Sequence, residues 1–177
     1  MNRQLLIGLP AVSRRDARIL LLGSMPGARS LADARYYAHP RNAFWSIMST
    51  FTGIDSDAPY RDRLAGLRRE GIALWDVVHL CYRSGSLDSA IEKEDLEIND
   101  FASLLERCRN IRAVFFNGGA ADTLFRRNVL PTQAEMLQGI HLQRLPSTSP
   151  ANASWSLQRK TETWQQALRP WLTLKRP

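Results

Sequence analysis

The sequence is poor in cysteine and lysine, and it has no long apolar run. Its two cysteines, Cys81 and Cys108, form no CxxC pair, which argues against a disulfide framework or a zinc ribbon and favours a reducing compartment. His79 and Cys81 alone do not make a metal-ligand set, so we predict no metal site. The apolar run near the N-terminus is too short for a signal peptide, and no segment reaches the length of a membrane span. A cytoplasmic protein without a membrane partner is therefore expected.

Motifs of two common enzyme classes are also absent. Residues 23–30, GSMPGARS, follow a predicted strand as a phosphate-binding loop would, but Ala28 and Arg29 stand where GxxxxGK[ST] requires glycine and lysine. No GxSxG elbow is present, and no motif around the three histidines marks a general base. These absences argue against a nucleotide triphosphatase and against covalent catalysis.

What the sequence does contain is an excess of positive charge, carried mainly by arginine. Lys and Arg number 24 against 17 Asp and Glu, which gives a net charge of +7 and a pI near 10.1. Guanidinium groups suit bidentate contacts with phosphate, so a polyanion such as nucleic acid is the favoured partner over a merely basic surface. The length suffices for one substantial core, and we expect residues 1–177 to form a single, monomeric domain.

Short apolar strands alternate with helices along the chain. Apolar runs ending at turn residues predict buried strands at 18–23 and 72–78, a third strand at 111–116 and a fourth short strand at 141–145. Helical periodicity and capping residues predict helices from Asn42 to a stop at Gly53, at 59–70, at 99–108, from 119 through Leu124, and at 157–168 before Pro170. Strands that are apolar throughout and separated by helices predict a three-layer α/β/α fold with a central, mainly parallel four-stranded sheet.

Polar and turn residues follow each predicted strand. In parallel sheets, ligands bind beyond the carboxyl ends of the strands. Here those ends carry Ser24 and Met25, Asp76, Asn117, and the loop 146–149. We expect these groups to meet at one cleft.

Residues 36–45, YYAHPRNAFW, concentrate four aromatic rings in a stretch that matches neither a strand nor an ordinary surface loop. Together with GSMPG after the first strand and LPSTSPAN after the last, this stretch resembles motifs of the uracil-DNA glycosylase superfamily. The resemblance extends from Arg18 to Trp171, keeps the order of the motifs, and is closest to the hypoxanthine-DNA glycosylases. The mismatch-type uracil glycosylases share the pattern AHPxNxFW.

The resemblance implies a monofunctional enzyme that removes hypoxanthine and other deaminated bases from DNA without a cofactor. Such an enzyme flips its target base into a pocket, and Tyr37 occupies the place of the ring that stacks on that base. Tyr36, Phe44 and Trp45 are expected to pack in the core. Ser24 and Met25 stand where many relatives carry an Asp or Asn that orients the attacking water, and methionine cannot do this. The resemblance therefore assigns the water to Asn42, whose competing role is to cap the following helix.

Ser24 and Met25 are predicted to contact the bound base, and two further residues are predicted to read it. Asp76 stands where uracil-specific relatives carry Asn, and a carboxylate can accept a hydrogen bond from N1–H of hypoxanthine or cap its turn. Asn117 is a second reader or a turn residue. In the last motif, Leu145 replaces the His or Asn of relatives, and the motif's polar residues are predicted to contact DNA phosphates: Ser147, Thr148, Ser149 and Asn152.

Two other functions remain open at this point. One is a mismatch-type uracil-DNA glycosylase. The other is a catalytically silent DNA-binding module, which would keep the basic charge and the serine-rich loop but would not need Asn42.

Overall fold

A parallel sheet of four strands forms the centre of the molecule. The structure is a computed structural model and describes residues 5–83, 90–91 and 95–172. The strands are β2 (Ile19–Gly23), β3 (Ile72–Asp76), β6 (Ala113–Asn117) and β7 (His141–Leu145), in the spatial order β3-β2-β6-β7. All neighbouring pairs are parallel, and both inner strands are apolar because each is covered on two faces. The predicted central sheet is therefore confirmed.

Two groups of helices cover this sheet and complete the predicted three layers. In one group, α2 (Phe44–Thr52) packs against α3 (Tyr60–Arg69) and α6 (Leu157–Leu172) through the rings of Trp45, Tyr60, Phe44 and Trp164. In the other, α4 (Phe101–Arg107) meets α5 (Gly119–Asn128) through Phe101 and Phe125. A short helix, α1 (Ala28–Ala32), follows the loop after β2. Phe44 and Trp45 are buried in the core, as expected.

A second, antiparallel sheet was not predicted. It contains β1 (Leu5–Ile7), β4 (Val78–Tyr82) and β5 (Glu97–Ile98), in the order β1-β4-β5. The predicted strand 72–78 in fact ends at Asp76, and the chain passes from one sheet to the other at Val77. The buried side chain of Asn99 holds this corner by donating to the carbonyl oxygens of Asp76 and Val78, at 2.9 and 3.2 Å.

Three predicted helix ends also need correction. The N-cap of α2 is Ala43, although Asn42 still accepts a hydrogen bond from the first turn, at Phe44 N. The N-cap of α4 is Asp100, which accepts from Ser103 N, so Asn99 precedes that helix. Pro170 does not stop α6, which continues to Leu172, because proline so close to a C-terminus removes at most one hydrogen bond. No helix among the described residues is long and apolar enough to cross a membrane.

Candidate active site

The carboxyl ends of the four parallel strands surround one cleft of about 310 Å³. Because the strands run in parallel and in register, Gly23 lies beside Asp76, and Asn117 lies beside Leu145. The cleft is lined by most of the residues that the sequence predicted for the site: Ser24, Met25, Tyr37, Asn42, Asp76, Asn117, Ser147, Thr148 and Ser149. The remaining one, Asn152, supports the cleft from behind, as described below.

Gly23 allows the side chains of Asp76 and Tyr37 to converge. A Cβ atom at this position would clash with Asp76 Oδ1 and would lie 3.1 Å from the Tyr37 hydroxyl oxygen. Asp76 is 3% exposed, so its carboxylate is buried at the floor of the cleft. The strand end thus needs glycine because a carboxylate and a phenol approach the main chain there. Sequence reasoning missed this role, since a glycine before a turn has an ordinary explanation.

Tyr37 is held in an uncommon backbone conformation by the aromatic residues around it. Its φ angle is 52°, in the left-handed region that few residues other than glycine occupy. The preceding residue, Tyr36, fixes the main chain, because its N–H donates to the Tyr60 hydroxyl and its carbonyl accepts from Trp45 Nε1, both at 2.9 Å. The aromatic stretch therefore builds a rigid frame that aims one ring at the cleft.

The Tyr37 ring stacks on Phe44. The ring centroids are 3.9 Å apart and the planes are inclined by 21°. Tyr36 is buried, and its hydroxyl lies 3.2 Å from the carbonyl oxygens of Leu9 and Pro10. Burial, reinforced by the nearby Asp76 carboxylate, raises the pKa of the Tyr36 hydroxyl far above its usual value. Tyr36 is therefore neutral and acts as a support for Tyr37.

Asn42 presents one end of its amide to the cleft. Its Oδ1 accepts from Phe44 N at 3.0 Å, and this contact fixes the orientation of the side chain. Its Nδ2 group has no hydrogen-bond partner within the described part of the chain. Because Asn42 lines the cleft, this donor can serve a bound ligand or water. The next residue, Ala43, donates its N–H to Thr148 O at 3.0 Å, which ties this segment to the last motif.

Asn117 is engaged at both ends of its amide by one residue. Its Nδ2 donates to Thr148 Oγ1 and its Oδ1 accepts from Thr148 N, each at 2.8 Å. Thr148 is 1% exposed. Asn117 thus positions the Ser147–Ser149 segment. It also borders the cleft, and its amide keeps one N–H donor and one lone pair for a ligand.

The loop after β7 is anchored by α6. Trp164 Nε1 donates to Pro146 O at 3.0 Å, and the buried Lys160 ammonium donates to Asn152 O at 2.9 Å. Asn152 in turn donates from Nδ2 to Ser147 O at 3.1 Å. Burial lowers the pKa of Lys160. Neither Lys160 nor Trp164 was predicted, because their contacts are visible only after the helix has folded back onto the loop.

The loop after β2 is held by hydrogen bonds from Val78 of the second sheet and from Arg83. Ser24 and Met25 are both buried, and Ser24 O accepts from Val78 N at 2.9 Å, at the junction of the two sheets. The buried guanidinium of Arg83 donates to Pro26 O. The backbone of GSMPG is therefore rigid, and Met25 contributes an apolar wall. Within residues 5–83, 90–91 and 95–172, no group of three His, Cys, Asp or Glu side chains has the spacing of a metal site.

Comparisons with known proteins point to one family. The family model described as the uracil DNA glycosylase superfamily matches residues 10–173. Proteins named hypoxanthine DNA glycosylase from Methanosarcina acetivorans and Methanosarcina barkeri are 36% and 34% identical over 166 residues, each match covering 92% of this chain and 97% of the relative. A solution NMR structure of a candidate uracil DNA glycosylase from Methanosarcina acetivorans has a TM-score of 0.78 at 36% identity, covering 95% of this chain and 99% of that one. The chain belongs to the uracil DNA glycosylase superfamily.

Proposed function

We propose that this protein is a monofunctional DNA glycosylase that hydrolyses the N-glycosidic bond of deoxyinosine and releases hypoxanthine from DNA. The observation that carries the proposal is the meeting of Tyr37, Asp76 and Asn42 at one cleft of a chain that belongs to this superfamily. The two relatives named hypoxanthine DNA glycosylase support the choice of base. Other deaminated bases are secondary substrates of the same site.

Tyr37 supplies the surface on which the flipped base stacks. Phe44 covers one face of the ring, so a base in the cleft stacks on the opposite face. Stacking of a base on an aromatic ring is worth about 1–3 kcal/mol, and it tolerates every base. Tyr37 therefore contributes to binding, while other groups must select the base.

Asp76 provides the selection. A carboxylate accepts hydrogen bonds, and hypoxanthine presents an N1–H donor that the carboxylate can bind. Adenine has an unprotonated N1 with a lone pair, which an ionised carboxylate repels. Because sites built on one hydrogen bond reject analogues that leave it unmade, the buried carboxylate accounts for the rejection of adenine, and guanine, which also carries N1–H, must be excluded by other contacts.

Asn42 positions the attacking water. Hydrolysis forms a bond from the water oxygen to C1′ of the sugar and breaks the bond from C1′ to the base, which leaves with the bonding electrons, while positive charge develops on the sugar. The water gives up one proton, and the released base takes one up. The Nδ2 group can donate to the water oxygen, and the second lone pair of Oδ1 can accept a water proton. The fixed amide thus holds the nucleophile without a metal or a cofactor.

The loop after β7 holds the DNA strand. The hydroxyl groups of Ser147 and Ser149 border the cleft, where they can donate to phosphate oxygens, whereas buried Thr148 is engaged by Asn117 and shapes the loop between them. Asn152 contributes indirectly, through its hydrogen bond to Ser147 O. Arginines across the molecule supply the long-range attraction to DNA. These contacts fix the position of the strand but read no sequence.

The test is a base-excision assay on oligonucleotides that each carry one inosine, uracil, xanthine or adenine at the same position, followed by alkaline cleavage of the abasic product. We expect the inosine strand to be cut fastest and the adenine strand to stay intact. Asp76→Asn should narrow the preference for inosine over uracil by about tenfold or more, because an amide also suits uracil. If the wild-type protein excises none of these bases, the proposal is wrong and the catalytically silent DNA-binding module is the remaining function.

A uracil-DNA glycosylase is the second candidate. The family description and the similarity to the NMR structure favour it, while Asp76 argues against it. Faster excision of uracil than of hypoxanthine in the same assay would decide for this alternative.

A further inference from the structure

A second cavity lies on the other side of the Tyr36–Tyr37 segment. Its volume is about 320 Å³, and it shares Tyr37, His39 and Asn42 with the active-site cleft. Three arginines are among the residues that line it, Arg29, Arg35 and Arg63, and Arg29 lines the active-site cleft as well. The reaction described above uses none of them.

Arg35 and Arg63 face the same aromatic ring. The Cζ atoms of Arg35 and Arg63 lie 5.8 and 5.5 Å from the centroid of Tyr60, and Arg63 Cζ also lies 4.6 Å from the centroid of Trp45. Such contacts use the faces of the guanidinium groups and leave their in-plane N–H donors for other partners. Tyr60 and Trp45 are the same residues that hold the main chain before Tyr37.

The donors of these two arginines have no acceptors among the described residues. Neither side chain forms a salt bridge or a hydrogen bond there, and Arg63 Nε is buried without a partner. Two carboxylates line the same cavity: Asp33 pairs with Arg29 at 2.7 Å, and Asp57 forms no ion pair within the described chain but acts on Arg63 through its charge. Burial lowers the pKa of Arg63 and the positive charge of Arg35 acts in the same direction, while Tyr60 and the Asp57 carboxylate act in the opposite direction. The two guanidinium groups beside the cavity therefore keep hydrogen-bond donors that no described acceptor uses.

We propose that this cavity is a phosphate subsite in which Arg35 and Arg63 bind a backbone phosphate of the DNA strand whose flipped base occupies the neighbouring cleft. The inference rests on the proposed function for the identity of the strand. A guanidinium pair in a fixed aromatic frame suits the tetrahedral oxygens of a phosphate. The shared wall of Tyr37, His39 and Asn42 places the subsite next to the base pocket, so one strand can occupy both.

The subsite is tested by DNA binding, which does not depend on excision. Fluorescence anisotropy would give the Kd of wild type, Arg35→Gln, Arg63→Gln and the double variant on an undamaged duplex at several salt concentrations. We expect each single change to raise Kd about tenfold and the double variant to lower the slope of log K against log salt by about one. Arg109→Gln is the matched control. Arg109 precedes β6, at the end of the sheet away from the cleft, so the substitution removes one positive charge there and should leave the salt slope nearly unchanged.

A set of duplexes with single neutral methylphosphonates around an inosine locates the contact. At one position the neutral linkage should weaken binding of wild type but not of the double variant. Equal losses for both proteins at every position would overturn the subsite. Arg35 is exposed, so Arg35→Gln gives the answer even if Arg63→Gln disturbs the Tyr60 frame.

Two further measurements separate the remaining outcomes. Thermal stabilisation of wild type by inorganic phosphate, lost in the double variant while DNA binding stays the same, would make the cavity a site for a free anion and overturn the DNA contact. Wild-type protein that binds DNA with the predicted salt slope but excises no base would contradict the proposed function and leave the subsite intact.

Discussion

Asn42 combines a structural contact and a proposed catalytic contact in one amide, and two substitutions separate them. Asn42→Ala removes both, whereas Asn42→Asp keeps the acceptor for Phe44 N and loses the Nδ2 donor. We expect both variants to lose most of the single-turnover excision of hypoxanthine. Only Asn42→Ala should lower the melting temperature, by the equivalent of about 0.5–2 kcal/mol for a lost helix-start contact.

Met25→Ala is the control for this pair, because methionine lines the same cleft without a strong donor or acceptor. It should reduce excision less than either change at Asn42. Wild-type rates in folded Asn42→Ala and Asn42→Asp would remove Asn42 from the mechanism and direct attention to Ser24, His39 or Asp76.

Two substitutions at Tyr37 distinguish the role of its ring from that of its hydroxyl. Tyr37→Phe keeps the stack on Phe44, and Tyr37→Ala removes it at the same strained φ angle of 52°. We expect Tyr37→Ala to weaken binding of an inosine duplex by about 1–3 kcal/mol and Tyr37→Phe to weaken it much less. Binding and excision by Tyr37→Ala at wild-type levels, with circular dichroism showing an intact fold, would make Tyr37 a packing residue.

Gly23→Ala is expected to lower the excision activity more than it lowers the free energy of unfolding. In Gly23→Ala the new methyl group overlaps Asp76 Oδ1 and presses on the Tyr37 hydroxyl, so both side chains must move. Overpacking of this kind costs about 1–3 kcal/mol, which urea denaturation would measure. The ratio of excision rates on inosine and adenine should fall even under conditions in which the variant is fully folded. An unchanged preference would contradict the role of Asp76 as the reader of the base.

These residues differ in how far the sequence alone identified them. Asp76 and Asn117 were predictable to lie at the cleft, because each follows a buried strand of a parallel sheet. Tyr37 and Asn42 needed the family motif as well. Gly23, Tyr60 and Lys160 were not identified, since each acts on a segment that only the folded chain brings near, as when Tyr60 accepts from Tyr36 N. The base-binding and catalytic roles themselves remain predictions.

Among the elements, α6 has a role beyond covering the sheet. Lys160 and Trp164 reach from this helix to the loop after β7 and hold the carbonyl oxygens of Asn152 and Pro146. A buried ammonium that donates to main-chain oxygens fixes a loop more tightly than an apolar side chain does. The helix thus positions the proposed phosphate contacts of Ser147 and Ser149.

Lys160→Met tests this coupling. The substitution keeps much of the side-chain volume but leaves Asn152 O without its donor, so we expect a loss of about 1–3 kcal/mol in unfolding free energy. It should also weaken DNA binding, because the loop is no longer fixed. Gln166→Met, at an exposed position of the same helix, is the matched control and should change neither quantity. Unaltered DNA affinity in a destabilised Lys160→Met would confine Lys160 to the fold.

The elements themselves were predictable where periodicity was strong. Strands β2, β3 and β6 are almost entirely buried, and their apolar runs were visible in the sequence, whereas the edge strand β7 has exposed His141 and Arg144. The smaller sheet was missed because β5 has two residues and β1 is largely exposed, so neither carries a clear pattern. The corner at Val77 was hidden for a related reason: buried residues continue through it, and only the hydrogen bonds of Asn99 mark the change of sheet.

For the whole molecule, the net charge of +7 and the buried cleft act at different stages of the reaction. Long-range attraction to phosphate is screened by salt, since each contact releases condensed counterions. The proposed contacts of Asp76 and Tyr37 with the base, and of Asn42 with the attacking water, would lie inside the cleft and would be screened much less. Affinity and chemistry should therefore respond differently to ionic strength.

The corresponding prediction is that raising the salt from about 50 to 200 mM increases the Kd for undamaged and inosine duplexes alike, by an order of magnitude or more if several phosphates are bound. The single-turnover rate at saturating enzyme should change much less, because every substrate molecule is then already bound. Anisotropy titrations and quenched-flow excision assays on the same duplex would measure the two quantities. An affinity that does not depend on salt would remove the electrostatic basis for DNA binding. An excision rate that falls in parallel with affinity would mean that a screened contact takes part in the chemical step, and the arginines around Tyr60 would be the first residues to test.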